Sequence, residues 1–221
     1  GGAATAKLWT ALADHYARRG CFEQARDVYE EAVHTVATVR DFAQVWDAYT
    51  KFEDELIAAH LAALEKRQKQ RQKRRRRPGG GGGGDDDDDD DAHVLAEAQA
   101  DFELRLARYE HLVERRPLLL IDVKLRANPH DVHEWQQRAA LHVRAGDRDA
   151  AVSTFTRAIT TVDARRAGGK AGSLWVNFAK FYEQNGDVDA ARELFEQAVQ
   201  VPFKNVDELA GVWCEYAELE M

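Results

Sequence analysis

Apolar residues recur at i, i+3, i+4 and i+7 along most of the chain, with almost no strand-like alternation, a pattern that predicts helices throughout. In residues 173–186, Trp175, Phe178, Ala179 and Tyr182 share one helical face, Ser173 is placed as the N-cap, and Gly186 supplies the positive φ that ends the helix. A second helix over residues 187–201 carries Val188, Ala191, Leu194, Phe195, Ala198 and Val199 on its inner face and stops at Pro202. The alanines let the two helices approach closely, and Phe195 is left to fill the space between one hairpin and the next. The predicted unit is an antiparallel helical hairpin.

The hairpin repeats. Aligned on Trp9, Trp135 and Trp175, the same residue types return at fixed offsets: Gly20, Gly146 and Gly186 eleven residues on, and Ala25, Ala151 and Ala191 sixteen on. Tyr29, Phe155 and Phe195 stand twenty on, and Ala32, Ala158 and Ala198 twenty-three on. Trp46 and Trp213 begin two more units, at spacings of 37 to 40 residues that suit a helical-hairpin solenoid. Asn128-Pro129 reads as an N-cap followed by the one helical position that tolerates Pro. The Trp213 unit reaches only its first helix before Met221. The start, Gly1-Gly2-Ala3-Ala4, has no initiator Met and no basic segment before an apolar one, which predicts a piece of a longer chain without a visible secretory signal.

One unit is interrupted. Trp46, Tyr49 and Phe52 mark a first helix, but Lys66 stands where the aromatic twenty residues on is expected. The matching second helix is found at residues 102–113, where Tyr109-Glu110 mirrors Tyr29-Glu30, so its first helix is lengthened and its loop holds an insert. The insert runs from a basic stretch ending Lys73, Arg74, Arg75, Arg76, Arg77 through Pro78 and six glycines to Asp85 and the six aspartates after it. Oligo-Gly loses the most backbone entropy on ordering and like charges repel, so residues 78–91 are expected to lack structure. Residues 117–125 are expected to form a further short apolar helix. The organisation is then repeats in residues 1–64, a low-complexity insertion in 65–92, and repeats again in 93–221, the last one truncated.

Charge and composition narrow the function classes. The chain is 44% apolar and 32% charged, with a net charge of −8 that argues against clamping nucleic acid with its whole surface. Residues 65–91 hold nine of the 31 Lys and Arg, so the basic character is confined to one segment. No uncharged stretch exceeds nine residues, which excludes a membrane span. Cys21 and Cys214 are too few and too far apart for a disulfide framework.

Trp at the first position, an aromatic three on (Tyr49, Phe178, Tyr216) and an aromatic or Leu six on (Phe52, Leu141, Phe181, Leu219) resemble the HAT, or half-a-TPR, repeat. Longer blocks, among them Arg115-Arg-Pro-Leu-Leu-Leu120, Asn128-Pro-His-Asp-Val-His-Glu-Trp135 and Val206-Asp-Glu-Leu-Ala-Gly-Val-Trp213, resemble the Syf-type pre-mRNA splicing factors, also called XPA-binding proteins, of the NineTeen complex. The likeness covers everything except about residues 65–92. It implies an all-α superhelical solenoid, a nuclear location, and a non-catalytic scaffold that docks other spliceosomal proteins on its hairpins, with any RNA contact indirect and no membrane or small-molecule substrate.

Candidate chemistry adds little to that picture. Ser153 and Ser173 sit at repeat positions with no nucleophile elbow around them, and Ala164 to Lys170 lacks the first Gly and the Ser or Thr of a phosphate loop. His130 and His133 have no further ligands near them to hold zinc, so no metal or other cofactor is expected. The five tryptophans read as packing residues. For the basic stretch ending at Arg77 three readings stand: an import signal, an RNA-contacting arm, or a run without function. Direct RNA binding through that arm and TPR-like capture of a short peptide are the alternatives to the scaffold, and the repeated Lys and Asn carboxylate clamp that the second needs is absent.

Overall fold

The computed structural model describes the backbone of residues 2–75 and 85–221 and the side chains of residues 4–73 and 93–221. The described residues form helices joined by short turns: α1 (Gly2–Arg18), α2 (Phe22–Thr35), α3 (Val39–Arg75), α4 (Asp85–Ala127), α5 (Val132–Arg144), α6 (Arg148–Thr161), α7 (Gly172–Gln184), α8 (Val188–Ala198) and α9 (Val206–Leu219). The fold is all-α. It divides into two compact units, residues 1–35 with 40–116, and residues 36–39 with 117–221.

In the first unit α1 and α2 form a hairpin that turns at Gly20, whose φ is +76°. The core is built on Tyr29, Val33, Phe42, Val45, Trp46, Tyr49 and Leu112. The long helices α3 and α4 run antiparallel. The His60 ring stacks on Phe102 at 6.1 Å and its Nε2 lies 3.0 Å from the Ala98 carbonyl. Further along, the Tyr109 hydroxyl is hydrogen-bonded to Asp54, and the Arg116 guanidinium lies over the Trp46 ring at 5.8 Å.

The interrupted unit therefore closes as an antiparallel pair, but in a shifted register. Phe102 meets His60, two turns beyond Phe52, and Tyr109 is half-buried where the buried Tyr29 was expected to have its counterpart. Lengthening both helices lets them pair along their extensions, so Leu112 takes the buried position and Leu104, Leu106 and Val113 are left exposed.

Two expectations about the insert and its flank are corrected. Asp85 to Asp91 are helical in their backbone, forming the first turns of α4, where residues 78–91 were expected to lack structure. Pro78 and Gly79 to Gly84 lie outside the described residues. Residues 117–125 are not a separate helix but the last turns of α4, with Pro117 inside it. Proline forfeits one helical hydrogen bond, and the burial of Leu119, Ile121, Val123 and Leu125 on the following turns outweighs that loss.

In the second unit the hairpins α5/α6 and α7/α8 stack in order, and α9 packs on α7 and α8. Each hairpin turns on a Gly-Asp pair. Gly146 (φ +73°) and Gly186 (φ +82°) provide the left-handed residue, and Asp147 and Asp187 then cap the next helix by accepting from the Ala150 and Ala190 N–H groups. The starts of α5 and α7 differ from expectation. Asp131, not Asn128, caps α5, because the chain makes one more turn in which Asn128 Oδ1 accepts from the His130 N–H. Ser173 lies inside the first turn of α7, donating to the Lys170 carbonyl and accepting from Gln136. Val188, placed on the inner face of α8, stands 40% exposed. The loop after α6 returns over the start of α5, where Gly168 donates to the His130 carbonyl and accepts from the Val132 N–H.

Candidate docking faces of the hairpins

Three ring pairs of one kind lock successive helices together. Tyr29 on α2 stacks on Tyr49 on α3, with centroids 5.0 Å apart and planes 8° from parallel. Phe155 on α6 stacks on Phe178 on α7 at 5.0 Å and 13°, and Phe195 on α8 on Tyr216 on α9 at 5.3 Å and 9°. In each case the aromatic twenty residues after one Trp meets the aromatic three residues after the next. Every partner except the half-buried Tyr216 is buried, so the contact removes apolar surface and adds a ring–ring interaction of about 0.5–1.5 kcal/mol.

A charged network ties α2, α3 and α4 together in the first unit. Arg26 donates from Nε and Nη2 to the two carboxylate oxygens of Glu53, at 2.6 and 3.1 Å, with Glu53 only 3% exposed. Glu30 accepts from the Tyr49 hydroxyl at 2.9 Å and from Arg115 at 2.6 Å. Burial, with Glu30 beside it, raises the Tyr49 pKa well above the ordinary range, and pairing with Glu53 raises that of Arg26. These groups hold their charge states firmly, which suits a structural clasp and not proton transfer.

The repeat anchors divide. Trp46 and Trp135 are buried, as are Ala25, Tyr29, Phe155, Ala191 and Phe195, while Gly20, Gly146 and Gly186 are the exposed turn residues. Trp9 and Trp175 are half-buried. Trp213, on the last helix of the sequence, is 52% exposed, and its ring stacks on Tyr216 at 6.0 Å.

No group of three His, Cys, Asp or Glu side chains among the described residues could hold a metal ion. His130 Nδ1 accepts from the Asp163 N–H, and His133 is hydrogen-bonded to Gln137. Of the basic stretch, Lys73 is exposed near the end of α3, Arg74 and Arg75 continue that helix in their backbone, and Arg76 and Arg77 lie outside the described residues.

One cleft in the second unit was not anticipated. About 360 Å³ in volume, it is lined by Asp122, Leu125 and Arg126 on α4, Pro129 before α5, Trp135 and Arg138 on α5, and Arg157 and Thr161 on α6. Arg138 forms an ion pair with Asp122, while its Nε is buried without a hydrogen-bond partner. Arg157 is exposed and sits over the Trp135 ring, 5.8 Å from its centroid. Burial, with Arg157 beside it, lowers the Arg138 pKa from the ordinary arginine value. The signal in the chain was Arg138 itself, which stands three residues after Trp135 where Tyr49, Phe178 and Tyr216 stand in other units.

Comparison with known proteins gives these faces a family. Residues 3–162 match the family model described as the pre-mRNA-splicing factor SYF1 middle HAT repeat, and residues 164–221 match that of the pre-mRNA-splicing factor Syf1/CRNKL1 C-terminal HAT repeat. The chain is 49% identical over 215 residues to the pre-mRNA-splicing factor SYF1 of Homo sapiens, covering 97% of this chain and 22% of that protein. It is 46% identical over 222 residues to the syf1 homolog of Drosophila melanogaster (97% and 21%) and 44% identical over 204 residues to syf1 of Aspergillus fumigatus (92% and 22%). The chain thus spans about a fifth of the length of these relatives.

Proposed function

The chain belongs to the Syf1 family of HAT-repeat pre-mRNA-splicing factors, and on that premise we propose that it works in the nucleus as a non-catalytic scaffold of the splicing machinery, docking other splicing proteins on its hairpins. The observation that carries this reading is the recurring ring stack: Tyr29 on Tyr49, Phe155 on Phe178, Phe195 on Tyr216. A solenoid whose neighbouring helices are locked in this way presents each outer face at a fixed place relative to the next. Several weak contacts to one partner assembly then act together, because the first contact raises the effective concentration for the second. An exposed aromatic residue such as Phe22 is of the kind that carries contact energy at protein interfaces.

The test is affinity purification from nuclear extract on the intact chain, with the recovered proteins identified by mass spectrometry. Splicing proteins are expected, and recovery of chaperones in their place would overturn the scaffold reading. A second reading, direct RNA binding, draws on the basic stretch of α3, where Lys66, Arg67, Lys69 and Lys73 are exposed. A salt series separates the two, since affinity for a single strand falls with a slope near ~0.7 per phosphate contact on logarithmic axes, whereas an apolar interface barely responds.

A further inference from the structure

Two positions set the α5/α6 hairpin apart from its siblings. Three residues after the unit's Trp stand Leu12, Tyr49, Phe178 and Tyr216 in the other four units, and Arg138 here. Twenty-two residues after it stand Glu31 and Gln197 in the other two complete hairpins, and Arg157 here. Both departures are to arginine, and the fold brings both to one cleft, against α4.

Packing alone does not account for them. The position of Arg138 is the one that elsewhere carries a ring stacked on the preceding helix, and its side chain is only 17% exposed. Burying a guanidinium there is costly unless it is well paired. Asp122 meets part of the requirement, yet Arg138 Nε has no partner. Among the described residues the Arg157 side chain makes no ion pair or hydrogen bond, and its only ring contact is with Trp135. Asp122 is the one carboxylate lining the cleft and it pairs with Arg138, which leaves the lining with an excess positive charge.

We propose that this cleft receives an acidic side chain, Asp or Glu, from a segment of a partner protein. The inference rests on the scaffold reading and names the chemistry of one docking contact within it. Guanidinium groups pair with carboxylates in a planar, two-pronged geometry that an ammonium cannot match, which suits an opening lined by Arg126, Arg138 and Arg157. A volume of about 360 Å³ holds one or two side chains. An RNA strand fits less well: the Trp135 ring is 4% exposed and capped by Arg157, so no aromatic face is open for a base to stack on. Residues 117–221 also hold 12 Lys and Arg against 16 Asp and Glu, a net negative charge that disfavours a phosphate backbone.

The test is a titration of the intact chain with an acetylated hexaglutamate peptide, read at single sites by NMR on the arginine Nε–H and tryptophan indole signals. The signals of Arg138, Arg157 and Trp135 are expected to move together and to saturate. Arg157→Gln, an exposed change that leaves the fold intact, should weaken the response at Trp135 about tenfold or more, the effect of losing one charge-assisted hydrogen bond. Arg165→Gln, an exposed arginine outside the cleft, should leave it unchanged. The proposal is overturned if only arginines elsewhere respond, if Arg157→Gln titrates like the parent, or if an oligouridylate moves the cleft signals at lower concentration than the peptide. A silent cleft in a chain that still recovers splicing proteins from extract removes this inference and leaves the scaffold reading standing.

Discussion

Breaking one ring stack should destabilise the second unit by an amount that can be apportioned. Phe155 is 6% exposed and Phe178 3%, their centroids lie 5.0 Å apart, and each touches one further ring, Phe181 at 5.8 Å and Tyr182 at 5.1 Å respectively. Truncating a buried Phe to Ala removes its transfer free energy and leaves a cavity, about 3–5 kcal/mol in all. Phe155→Ala and Phe178→Ala should each fall in that range. The double variant should cost less than the two together by about 0.5–1.5 kcal/mol, because the pair interaction is lost once and not twice. Urea unfolding followed by circular dichroism at 222 nm gives the totals. Hydrogen exchange on α6 and α7 amides shows whether the loss is local, as nearest-neighbour coupling in a solenoid requires. A single-variant cost below about 1 kcal/mol, or strict additivity within about 0.3 kcal/mol, would mean that the ring pair does not join the two hairpins.

Four other outcomes follow from the same contacts. Glu53→Ala should cost about 1.5–3 kcal/mol in urea unfolding, because it takes from the largely buried Arg26 guanidinium its two-pronged partner and leaves only Glu23, and an effect below about 1 kcal/mol would show the pair to be idle. Burial pushes the Tyr29 hydroxyl up to about 12 from 10.0, so the folded state keeps a proton that the unfolded chain gives up. Its contribution is therefore complete below pH 10 and lost as the pH rises to about 12, and Tyr29→Phe should flatten the fall in unfolding midpoint across that window. Gly186→Ala should destabilise by about 1 kcal/mol through its φ of +82° alone, since nothing lies within 4 Å of the added methyl, and a neutral result would show that the turn relaxes. Replacing residues 66–91 by a short flexible linker should change stability by no more than about 1 kcal/mol, because closure entropy grows only logarithmically with length, and a larger loss would mean that the insert packs on the hairpins.

Much of this protein was legible before any coordinates. Trp, Gly, Ala and aromatic positions returning at offsets of 0, 11, 16 and 20 define a hairpin whose turn needs a left-handed residue and whose helices need a small contact and a large filler. Those requirements are local, so Gly146 and Gly186 turn, Ala191 lies buried and Phe195 sits between helices as the spacing implies. Three other features depended on what packs against what. The register of α3 on α4 follows from two lengthened helices pairing past Phe52 as far as His60, which moved Phe102 to His60 and left Tyr109 half-buried. Periodicity marks the apolar face of a helix but not what covers it, so nothing in the spacing shows that Trp135 is buried under Arg157. The cleft holds the same lesson in charge. Arg138 and Arg157 are nineteen residues apart in the chain and read as two ordinary surface cations, and only the antiparallel return of α6 along α5 brings them to one opening beside Asp122, where the repulsion between them becomes an affinity for an anion.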